Sequence, residues 1–79
     1  MERKELEQQI IALVATSYGV EEAALTADSK FGEDINGTSV QMVGLVSEIE
    51  NELDVMVQLQ DAAGCATIAD LVDKVEEEM

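Results

Sequence analysis

Phe31-Gly32-Glu33-Asp34-Ile35-Asn36-Gly37-Thr38-Ser39-Val40 is a polar, glycine-containing stretch that runs directly into an apolar helical pattern reaching Leu53. Before the junction the chain lacks sustained periodicity; after it, apolar residues recur at helical spacing. Thr38-Ser39-Val40-Gln41 fits a capping box, in which the Thr38 hydroxyl and the Gln41 side chain satisfy free backbone N–H groups, so the helix is expected to start at Thr38. Asn36-Gly37 has no flanking strands and reads as a tight turn before the helix. Ser39 then falls in the first helical turn. On a helical wheel Val40, Met42, Val43, Leu45, Val46, Ile49 and Leu53 cover an arc of ~220°, which predicts a central helix with several neighbours.

Working outward, Leu6, Ile10, Leu13 and Val14, with Ile11 at the margin, predict an amphipathic helix over 2–17, and Gly19 is a natural stop. Residues 18–37 form a long loop with apolar anchors at Val20, Leu25, Phe31 and Ile35, and with a short helical turn over 21–25. A loop this long in a small domain tends to be functional. Downstream, Val55, Met56, Val57 and Leu59 form an apolar connector, and 60–64 can make a short third helix. Thr67 with Asp70 marks another helix start, with Ile68, Leu71, Val72 and Val75 as its apolar face. The tail Glu76-Glu77-Glu78-Met79 opposes the helix dipole and is expected to fray. Met42, Met56 and Cys65 read as core fillers. Gly44 costs ~1 kcal/mol against alanine within a helix, so it either permits close approach of a partner or is a tolerated flaw. With no proline and no alternating strand pattern, the expectation is an all-α protein. It is a small four-helix bundle with a long first loop and a short third helix, one domain over 1–79.

Composition removes whole classes of function. The chain has no histidine, so Ser-His-Asp and Cys-His nucleophilic sites and most catalytic zinc sites are excluded. A calcium loop started at Asp34 puts Gly37 in the fourth position instead of the sixth, and Leu45 where a bidentate glutamate belongs. Eighteen acidic residues against four basic ones give a net charge of −14. Such a field repels nucleic acid and anionic membranes and favours partners with basic docking surfaces, although acidity also serves plain solubility. One cysteine cannot cross-link the chain internally, and no run of ~18 apolar residues is available to span a bilayer. A reducing, cytoplasmic compartment and a monomer are the expectation.

Over about residues 5 to 75 the order of helices, the long first loop and the apolar positions around Ser39 resemble the acyl carrier proteins. The usual run before the serine in that family resembles Glu-Asp-Leu-Gly-x-Asp-Ser-Leu; here it is Glu33-Asp34-Ile35-Asn36-Gly37-Thr38-Ser39-Val40. Thr38 stands in place of the aspartate before the serine, and Asn36 in place of the glycine. The resemblance implies a carrier and not a catalyst. Ser39 would bear 4′-phosphopantetheine, attached by a phosphopantetheinyl transferase, and its thiol would hold acyl, aminoacyl or polyketide units as thioesters. Enzymes of fatty-acid, polyketide or other specialised synthesis would be the partners. In the family, acidic side chains along the second helix dock basic patches on those enzymes, which assigns partner contact to Asp34, Thr38, Gln41, Glu48, Glu50 and Glu52. The positions five and twelve residues after the serine are neutral here, Gly44 and Asn51, a thinner acidic strip that implies dedicated partners. The alternative is a carrier-like bundle that is never modified and acts as an acidic interaction subunit.

Overall fold

The computed structural model describes residues 2–31 and 39–79. Among them are four α-helices: α1 (Arg3–Tyr18), α2 (Ser39–Leu53), α3 (Leu59–Ala63) and α4 (Ile68–Glu77), with a 3-10 turn at Glu22–Ala24. α1 packs on α2 and α4, while α3 bridges α2 and α4. The bundle with a long first loop and a short third helix is as the sequence predicts. Thr38 and the proposed cap, Glu33, Asp34, Ile35 and the Asn36-Gly37 turn lie outside the described residues.

α1 runs one residue further than its apolar pattern predicted, because Tyr18 joins Leu6, Ile10, Val14 and Ala15 on the buried face. Gly19 then ends it at φ 67°, a left-handed conformation that costs glycine nothing. The next residue closes the end: the Val20 N–H donates to the Ala15 carbonyl at 3.1 Å, and Val20 packs against the core.

α4 shows how the loop is held. Its first free N–H groups, those of Ile68 and Ala69, donate to the carbonyls of Ser29 (3.0 Å) and Ala27 (2.8 Å) in the long loop. The Asp70 N–H donates to the Thr67 hydroxyl, while the Asp70 carboxylate accepts from the Thr67 N–H, which completes the predicted capping box. Every early donor of α4 is thereby satisfied. The loop gains a fixed seat in return, reinforced by the Phe31 N–H on the Ala66 carbonyl at 3.0 Å. Within the loop the buried Ser29 hydroxyl accepts from the Thr26 N–H at 2.9 Å.

Leu6, Ile10, Val14, Leu45, Ile49, Ile68, Leu71, Val72 and Val75 form the closed centre of the core, each at most 1% exposed. Cys65 and Met42 lie in the core as expected. Met56 does not: it is 68% exposed, because burial alternates over residues 54–58 and turns Val55 and Val57 inward instead. α3 begins at Leu59, one residue earlier than predicted, and Leu59 is itself exposed. The acidic tail is helical to Glu77. Arg3 from α1 meets Asp73 at 2.7 Å and Glu76 at 3.1 Å, and Lys74 meets Glu77 at 3.6 Å, so cations partly offset the unfavourable dipole.

Candidate functional site

α2 begins at Ser39. Its interior face is narrower than the arc read from sequence. Met42, Leu45 and Ile49 are buried, and Val46 and Leu53 are partly buried against the core. Val40 and Val43, assigned by the wheel to the core, are 76% and 47% exposed. The physical reason is the placement of neighbours: α1 and α3 cover one side of α2, and Val40 stands opposite Ile49 on the wheel. The signal that separates them was present in the spacing, since Leu45, Ile49 and Leu53 define a stripe to which Val40 does not belong.

The end of α2 that carries Ser39 is backed by core. One turn on, the Met42 sulfur lies 3.9 Å from the hydroxyl of Tyr18 at the end of α1. The Tyr18 ring stands 6.0 Å from that of Phe31, tilted by 44°, which ties the loop to the same spot. Burial pushes the Tyr18 hydroxyl above its usual pKa, as it does the Cys65 thiol between α3 and α4.

Electrostatically α2 differs from the other helices. α1, α3 and α4 each carry an acid in the first turn, Glu5, Asp61 and Asp70; α2 carries none. The partial positive charge of its N-terminus therefore has no carboxylate within the turn to neutralise it, an arrangement that suits a phosphate ester. Of the residues expected to meet partners, Glu48, Glu50 and Glu52 are exposed on the second half of α2, and Gln41 is half-buried. Thr38 and Asp34 lie outside the described residues. Among the described residues no cluster of acids and cysteine is arranged to hold a metal ion.

The family model described as the phosphopantetheine attachment site matches residues 8–75. Curated relatives include the acyl carrier proteins of Chlorobium phaeobacteroides (27% identical) and Chlorobium phaeovibrioides (29%). Each aligns over 73 residues, covering 92% of this chain and 94% of the relative. In fold, the chain resembles the acyl carrier protein of Enterococcus faecalis with a TM-score of 0.77 at 23% identity, over the full length of both chains. The chain belongs to the phosphopantetheine attachment-site family. Its role is that of a carrier protein whose working group is covalently attached 4′-phosphopantetheine.

The residues present fit that group. A serine opens a helix whose first turn lacks a competing carboxylate, and the residue beside it, Val40, is largely exposed. When bound, the group supplies a thiol that holds cargo as a thioester.

Proposed function

We propose that Ser39 is the attachment residue and that the protein is a non-catalytic carrier, loaded by a phosphopantetheinyl transferase and served by separate acyl-transferring or synthase enzymes. The observation that carries this reading is the place of Ser39 at the head of α2, with no acid in the turn behind it. The chain's other serines fit the role poorly. Ser29 is buried and engaged with the Thr26 N–H, Ser17 is half-buried near the end of α1, and Ser47 lies in the middle of α2. The serine need only be reachable, because the transferase brings the chemistry and the donor; the absence of histidine from the chain is then no handicap. Partners with basic surfaces are favoured by the net charge of −14, which hastens their encounter at low salt.

Incubating the purified protein with coenzyme A and a broad-specificity phosphopantetheinyl transferase, followed by intact mass and peptide mapping, tests the proposal. The expected result is a single addition mapped to Ser39, lost in Ser39→Ala while the far-ultraviolet circular dichroism spectrum stays helical. Addition at Ser17, Ser29 or Ser47 would refute the assignment, and no addition at all would favour the unmodified interaction subunit.

A further inference from the structure

We infer that Tyr18 is a positioning residue for the covalently attached arm: its hydroxyl donates a hydrogen bond to an amide carbonyl of the 4′-phosphopantetheine borne by Ser39, in place of its contact with Met42. The inference rests on Ser39 being the attachment residue. A buried tyrosine hydroxyl ordinarily meets a full hydrogen-bond partner. The contact made by this one is with the Met42 sulfur at 3.9 Å, and a thioether is a weak acceptor. The fold thus leaves the hydroxyl poorly served. Burial also keeps the proton on the phenol, so the group stands ready as a donor.

The place of this donor points to what it serves. Tyr18 and Met42 each keep 7% of their surface exposed, whereas the residues of the closed centre keep at most 1%, so the pair sits at the edge of the core where a group from outside can reach it. Met42 stands three residues after Ser39, ~4.5 Å further along the axis of α2, so an arm attached at Ser39 starts within a turn of the hydroxyl's present partner. The two members of the pair differ in freedom. Tyr18 is fixed, because its ring packs on that of Phe31 at 6.0 Å and the helix end directly behind it is closed by Gly19 and Val20. Met42 has an unbranched, adaptable side chain that can repack. A rigid donor facing a movable, weak acceptor is suited to an exchange of partners. Of the acceptors on the arm, a neutral amide carbonyl suits this apolar edge, whereas bringing the charged phosphate there would cost far more in lost hydration.

The experiment follows the near-ultraviolet absorption of Tyr18, the only tyrosine in a chain without tryptophan, before and after a broad-specificity transferase modifies the protein with coenzyme A. Donation to a carbonyl in place of sulfur is expected to move the band to longer wavelength, while Ser39→Ala, carried through the same treatment, keeps the band of the unmodified protein. Met42→Leu, a change that conserves volume, is expected to shift the band before modification and to leave the band after modification at the wild-type position. When the arm carries isotope-labelled amide carbonyls, Tyr18→Phe is expected to move one carbonyl resonance upfield and to leave the phosphorus resonance of the phosphodiester in place, a pattern that a purely structural role of Tyr18 would not produce. A tyrosine band that is the same before and after modification at Ser39, or that still follows Met42→Leu afterwards, would overturn the inference while Ser39 remains the attachment residue. A phosphorus resonance that moves instead of the carbonyl would also overturn it, by placing the contact at the phosphate. A wild-type protein left unmodified at Ser39 would overturn both readings.

Discussion

Helices α4 and α2 are both amphipathic, yet they place their apolar residues differently. In α4 every large aliphatic residue, Ile68, Leu71, Val72 and Val75, is fully buried, and the N-terminus is closed by a capping box and two loop carbonyls. In α2 the stripe of Met42, Leu45 and Ile49 is buried, whereas Val40 and Val43 face water and the first turn has no acid. Packing explains all of α4. It explains only one side of α2, and the surplus lies in the turns that follow Ser39. Apolar surface that the fold leaves uncovered thus lies next to the proposed attachment residue.

The contrast breaks most readily at Leu71. Leu71→Ala is expected to cost ~2–5 kcal/mol, a large share of the ~4–12 kcal/mol available to a chain this size, and urea denaturation would show it as a much lower midpoint. Thr67→Ala should cost ~1 kcal/mol, because the Asp70 N–H loses its acceptor and the Asp70 carboxylate cannot replace it. Val43→Ser, by contrast, should move stability by no more than ~0.5 kcal/mol. A loss of several kcal/mol there would mean that Val43 belongs to the core after all.

The smallest effect is one of pH. Burial pushes the Cys65 thiol up in the folded state, so the unfolded chain ionises first. Stability should be full below the ordinary thiol value of about 8.5 and should fall as pH rises past it. In Cys65→Ala that decline should begin later, near the range of Tyr18, whose hydroxyl is shifted in the same direction. An identical alkaline profile in the variant would show that the thiol is not held in the core.

Much of the fold is legible without coordinates because its signals are local. Gly19 after an amphipathic run, Thr67 three residues before Asp70, and the turn at Glu22–Ala24 each depend on residues within a few positions of one another. The candidate site is legible in the same way, as a serine where a loop becomes a helix. Val40, Val43 and Met56 are exposed against expectation because hydrophobicity and periodicity define an arc or a stretch, whereas burial depends on how much of it neighbouring elements cover. For Met56 the alternation of exposed and buried residues over 54–58 replaces the expectation of a continuous apolar connector.

By itself, then, the amino-acid sequence determined the helical class, the order of the helices, most of their ends, the net charge of −14, and which serine opens a helix. Tertiary structure alone decided that Ala27 and Ser29 carbonyls close the start of α4, that Arg3 reaches across to Asp73 and Glu76, and that two valines beside Ser39 remain uncovered. The reason is one of range. Caps and periodicity are set by backbone hydrogen bonding over a single turn, but these contacts join residues distant in sequence or depend on which faces neighbouring elements cover, and no local pattern encodes that geometry.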